Sequence, residues 1–81
     1  MAAKAKDWQA HVKGILKGEL KRQNVTYSDL AERLSKLGIK ENERNIANKI
    51  ARGSFTAVFF VQCLEAIGCQ DVHLTGIRPL S

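Results

Sequence analysis

Apolar positions recur at helical spacing along most of this chain, and they divide it into four segments. Trp8, Val12, Ile15, Leu16 and Leu20 fall at i, i+4, i+7, i+8 and i+12, which is one face of a helix from about Asp7 to Gln23. Lys13, Lys17, Lys21 and Arg22 lie largely off that stripe, and Asp7 suits the N-cap. Gly14 and Gly18 each cost roughly 1 kcal/mol against Ala inside a helix. They share one side, so they either admit a close backbone or leave a weak helix for tertiary packing to hold. Asn24-Val25-Thr26 breaks the pattern. Thr26 with Asp29 forms a capping-box-like start, and Val25 with Leu30 a hydrophobic staple, for a second helix over about Tyr27 to Leu37. Its stripe is Leu30, Ala31, Leu34 and Leu37; Gly38 ends it, and Ile39 is the apolar plug of the turn that follows.

The third segment, Asn42 to Gly53, has a thin apolar seam of Ile46, Ala47, Ile50 and Ala51. Asn42 caps its start and Gly53 its end. So short a helix is marginal in water by itself, so it must lie across a scaffold. Its other side carries Arg44, Asn45, Asn48, Lys49 and Arg52. Arg, Lys and Asn carry the donors and acceptors that match guanine and adenine edges in the major groove; a solvated polar face is the plainer alternative. The fourth segment, Ala57 to Ile67, is apolar nearly all round, with Thr56 as cap, Phe55 and Phe60 as staple and Gly68 as stop. Such a helix is expected to be buried on every side, by its own chain or by a second copy. Beyond it, Asp71 to Thr75 fits either a short strand or an irregular tail, with Ile77 and Pro79 further on.

Composition sharpens the picture. The chain has 81 residues, 44% of them hydrophobic and 26% charged, which fits one ordinary globular domain. The expected plan is all-α: a basic tail over 1–6, a helical domain over 7–69, and a strand or tail over 70–81 that offers a dimer contact. No apolar run approaches the roughly 20 residues of a membrane span, and the start has no apolar core of a secretory signal. Cys63 and Cys69 read as free thiols in a reducing, cytoplasmic setting. With His11 and His73 they lack paired metal-ligand spacing, so no metal and no cofactor is expected. The formal net charge is +5; residues 1–53 hold 12 Lys/Arg against 6 Asp/Glu, whereas 54–81 hold 1 against 2. A basic front half suits a polyanion, either nucleic acid or an anionic surface.

The segments Tyr-Ser-Asp-Leu-Ala-Glu-Arg-Leu at 27–34 and Glu-Arg-Asn-Ile-Ala-Asn-Lys-Ile-Ala-Arg-Gly at 43–53 resemble the helix-turn-helix of the lambda repressor/Cro-like (XRE) family of bacterial DNA-binding domains. Leu-Glu-Ala-Ile-Gly at 64–68 is similar to that family's fourth-helix ending. The resemblance spans roughly residues 12–68. It implies a compact four-to-five-helix domain that places its third helix in the major groove of double-stranded DNA, commonly as a transcriptional regulator. By that resemblance Arg44, Asn45 and Lys49 meet bases, while Thr26, Tyr27, Asn48 and Arg52 meet phosphates. Three departures stand out. The link between Leu34 and Arg44 is longer than usual, which leaves the helix spacing and docking angle open. The loop after Gly53 lacks basic residues, which either weakens affinity or moves backbone contacts toward Lys4, Lys6 and the first helix. Glu41 and Glu43 stand at the mouth of the third helix, where they suit its dipole but repel phosphate.

The functional expectation is therefore sequence-specific DNA binding by a homodimer, with no membrane association, no small-molecule ligand and no catalytic residues. A helical protein-interaction module, antitoxin-like and using Phe59 and Phe60, is the competing reading. An enzyme is disfavoured because no His or carboxylate is placed by sequence to activate Cys63 or Cys69.

Overall fold

The computed structural model describes residues 7–75, which form four α-helices: α1 Trp8–Arg22, α2 Tyr27–Lys36, α3 Glu43–Arg52 and α4 Ala57–Ala66. No strand occurs among the described residues, so the chain is all-α as its periodicity predicts. The basic tail 1–6, with Lys4 and Lys6, and the stretch 76–81, with Ile77 and Pro79, lie outside the described residues.

Each helix begins where its capping residue dictates. The Asp7 carboxylate accepts from the Ala10 amide at 3.1 Å, the Asn42 side-chain oxygen from the Asn45 amide at 2.8 Å, and the Thr56 hydroxyl from the Phe59 amide at 3.0 Å. At Thr26 the exchange is reciprocal: its hydroxyl accepts from the Asp29 amide at 3.0 Å, and the Asp29 carboxylate accepts from the Thr26 amide at 3.3 Å. Each cap satisfies donors that the first turn leaves without an intrahelical partner.

Three of the four ends share one device. Asn24, Gly38 and Gly68 take positive φ of 58°, 82° and 74°. The next amide, from Val25, Ile39 or Cys69, then donates back to Leu20, Leu34 or Leu64 at 2.9 Å in each case. These are Schellman endings, which also turn the residue after the left-handed position inward. Val25 is buried, and Ile39 and Cys69 pack against the core. Leu37 departs from expectation. It is the cap residue of α2, so its side chain leaves the Leu30–Leu34 stripe and stands exposed.

The core is built from Leu16 and Leu20 of α1, Leu30 and Leu34 of α2, Ile46 and Ile50 of α3, and Phe59, Cys63 and Leu64 of α4, with Ile67 after it. α3 lies against α1 and α2, and α4 packs on the same two helices. Trp8 starts the α1 stripe but is exposed, because the first turn projects past the core. Glu19 is buried; Arg22 meets its carboxylate at 2.8 Å, and the Cys69 thiol approaches it at 3.6 Å.

Two alternatives left open by the sequence are narrowed. Gly14 and Gly18 have open space where a Cβ would sit, so no backbone approaches them. The close approach occurs at Gly53, at φ 67°, where an added Cβ would lie 2.6 Å from the Gln9 carbonyl oxygen. The first turn of α1 thus rests on the end of α3. Nor does the chain itself cover α4 all round: Val58 and Val61 are 65% and 60% exposed, since four short helices supply no layer for that face. From Gly68 to Thr75 the described chain is irregular, with no strand over Asp71 to Thr75. Val72 packs on the core, and the His11 ring donates from Nε2 to the Leu74 carbonyl.

Candidate nucleic-acid interface

Ile46 and Ile50 fix the orientation of α3, because both are fully buried beneath it. Residues advance about 100° each around an α-helix, so the side opposite those two is centred on Asn48. Arg44 and Arg52 flank it, four residues before and after, with Ala51 and Asn45 on either side. All five are exposed. The side chains of Arg44, Asn45, Asn48 and Arg52 form no hydrogen bond or ion pair among the described residues. The structure therefore brings four of the expected contact residues into one surface of two free cations and two free amides.

Lys49 is set differently. Its ammonium is ion-paired with the Glu41 carboxylate and lies 4.8 Å from the centroid of the Phe59 ring. The Lys49 side chain is 43% exposed and that of Glu41 only 9%. The expectation of Lys49 as an exposed cation equivalent to Arg44 is thus corrected: it lies on the flank of α3, held by the connection from α2. Glu41 is likewise not an outward acid at the mouth of α3. It is turned inward, and Glu43 is the acid that remains exposed there. Ile39, packed on the core, anchors the long turn so that it carries Glu41 to this position.

Thr26 and Tyr27 lie apart from α3 in sequence, at the start of α2. With Lys17 and Lys21 they line a shallow hollow floored by Leu20 and Val25. The Thr26 hydroxyl already accepts within its cap, so its proton is what it offers an incoming anion. Lys13 donates to the Ala51 carbonyl at 3.2 Å, placing a cation at the negative end of the α3 dipole. Beneath the surface, the Cys63 thiol is pushed up to about 12, chiefly by burial, with the Glu41 charge adding to the rise and Lys49 opposing it. Cys63 is therefore a protonated, core-filling thiol at neutral pH.

Sequence reasoning missed three of these relationships. The Glu41–Lys49 and Lys13–Ala51 contacts join residues 8 and 38 positions apart, beyond any helical spacing rule. The approach of Lys17 and Lys21 to Thr26 follows from the Asn24 turn, whose left-handed residue gave no signal beyond being an asparagine.

Among the described residues, no helix is long and apolar enough to cross a membrane, and no group of three or more His, Cys, Asp and Glu is arranged to hold a metal ion. In comparisons with known proteins, the family described as "Domain of unknown function (DUF6471)" matches residues 8–72. No curated protein and no solved structure matches the chain.

Proposed function

The chain belongs to the DUF6471 family, and from that premise we propose that it binds double-stranded DNA as a small cytoplasmic transcriptional regulator, with α2 and α3 acting as a helix-turn-helix. The observation that carries this reading is the outer face of α3. Arg44, Asn45, Asn48 and Arg52 stand there exposed and unpaired among the described residues. Arginine pairs bidentately with guanine and asparagine with adenine in the major groove, and cations that displace counterions supply the sequence-independent attraction. In this reading Arg44 and Asn45 meet base edges, and Asn48 and Arg52 the sugar–phosphate chain. Thr26 and Tyr27, with Lys17 and Lys21, receive a neighbouring phosphate. Lys49 reaches DNA only by leaving Glu41.

The exposed Val58 and Val61 support a second copy docking through α4. A two-fold dimer would read half-sites about 34 Å apart, one turn of DNA. The same valines favour the competing reading, a helical module whose partner is another protein, though its contact face would then be theirs and not the expected Phe59 and Phe60, which are buried and half-buried.

The two readings separate in a fluorescence-anisotropy titration of a mixed-sequence duplex at low and moderate salt. Wild-type binding is expected to weaken steeply as salt rises. Arg44→Ala/Arg52→Ala should bind at least tenfold more weakly, since a bidentate arginine contact is worth about 1–3 kcal/mol. Its salt slope should fall by about 1 for each phosphate contact removed. Thermal stability should hold, because exposed substitutions stay within about 0.5 kcal/mol. No binding at low salt would overturn the DNA reading in favour of the protein partner.

A further inference from the structure

Three elements meet around Lys49: the α2–α3 turn through Glu41, α3 through Lys49 itself, and α4 through Phe59. The ammonium sits between a carboxylate and an aromatic face, two groups that each attract a cation. The Glu41 side chain is nearly buried, so this pair is less screened than an exposed ion pair. On the surface of α3, Lys49 neighbours Asn45 four residues before it and Arg52 three after. A modest swing of its stem would add a third cation to the row that Arg44 and Arg52 form.

We infer that Glu41 is the residue that sets how tightly this domain holds DNA, by keeping Lys49 bound to itself and off the phosphate backbone. The inference rests on the DNA-binding reading above. To give Lys49 to a phosphate, the protein would have to leave a nearly buried carboxylate without its counter-charge, and such a charge is costly to strand. Lys49 therefore stays with Glu41 when DNA arrives, and the interface works with one cation fewer than its sequence displays. The long α2–α3 turn acquires a role here, since it delivers the acid to α3. Affinity and salt response are thereby held down, which keeps weak, sequence-independent binding from swamping what Arg44 and Asn45 select.

The test uses the whole chain and two readouts. In the DNA-free protein, the rate of trace acetylation of Lys49 is followed by peptide mass spectrometry in wild type and Glu41→Gln. Resistance of Cys63 to a thiol reagent reports that the fold is intact, and Glu41→Ala provides a second variant for the same measurements. The same proteins, with Glu43→Gln and Glu41→Gln/Lys49→Gln, are titrated against a mixed-sequence duplex across a salt series. Lys49 should acetylate several-fold faster in Glu41→Gln. The salt slope should steepen by about 0.9, the increment for one further phosphate contact, which corresponds to roughly eightfold tighter binding at about 0.1 M salt. The steepening should vanish in Glu41→Gln/Lys49→Gln and be absent from Glu43→Gln, which changes net charge equally at an exposed site. An unchanged Lys49 acetylation rate overturns the inference whatever the DNA data show. So does a slope increase that survives Lys49→Gln or is matched by Glu43→Gln, since net charge alone would then explain it. If no protein binds, wild type included, the DNA reading has failed and the inference falls with it. Binding in wild type with no effect of Glu41 removes the inference alone.

Discussion

Replacing Ile50 by alanine is expected to lower the unfolding free energy by about 2–5 kcal/mol, the usual cost of truncating a fully buried aliphatic side chain. Ile50 has no exposed surface and is one of two side chains by which α3 is sunk into the core, Ile46 being the other. Helix α3 has 10 residues and cannot persist in water alone, so its order depends on this seam. Domains have roughly 0.05–0.15 kcal/mol of stability per residue. The loss is therefore a large share of what so short a chain can hold. At about 4–8 °C per kcal/mol for a domain of this size, the melting temperature should fall by roughly 10 °C or more. Urea titration followed by helical circular dichroism gives the number directly. A neutral result would mean that Ile50 is not part of the core. Arg44, one helix face away, is the contrast: its loss should be felt by DNA and hardly at all by the fold.

Gly53→Ala is expected to be nearly as damaging, for two separable reasons. Gly53 holds φ at 67°, and a left-handed conformation costs an ordinary L-residue roughly 1–2 kcal/mol. Its new Cβ would also meet the Gln9 carbonyl oxygen at 2.6 Å, so α1 and the end of α3 would have to part. Forced overpacking typically costs about 1–3 kcal/mol. Gly38→Ala provides the reference, because Gly38 has φ 82° but open space around it. The two variants share the backbone penalty, and the difference between their unfolding free energies measures the close approach. Equal costs would show that the α1–α3 contact yields without effort. A larger cost at Gly53 should carry a functional cost, since the contact bears on the end of the helix that presents Arg52.

Much of this fold can be read from short-range sequence rules because its boundaries are set by short-range chemistry. Asp7, Thr26, Asn42 and Thr56 each cap a helix through an amide three residues on, and that spacing is visible in sequence. The buried rows Leu16–Leu20, Leu30–Leu34 and Ile46–Ile50 likewise repeat every four residues. The misreadings lie where the answer depends on what stands opposite. Trp8 and Leu37 match their stripes, but each sits at a helix end where half or more of its surface stays exposed. Gly53 carries the close approach that is one of two readings of Gly14 and Gly18, and only the crossing of α1 with α3 decides which glycine that is. At the candidate interface, the outward set Arg44, Asn45, Asn48 and Arg52 follows from the phase of Ile46 and Ile50. The capture of Lys49 does not, because its partners Glu41 and Phe59 come from different elements.

The left-handed residues Asn24, Gly38 and Gly68 also bear on how quickly the chain finds its structure. Each reversal is closed by hydrogen bonds reaching back five residues or fewer, so every corner forms without waiting for a distant part of the chain. Loop closure becomes costlier as the closing segment lengthens, and proteins dominated by local contacts fold in microseconds to milliseconds. A longer closure seats the first turn of α1 on Gly53. Until α1 and α2 have both packed on α3, its apolar side stays open to water.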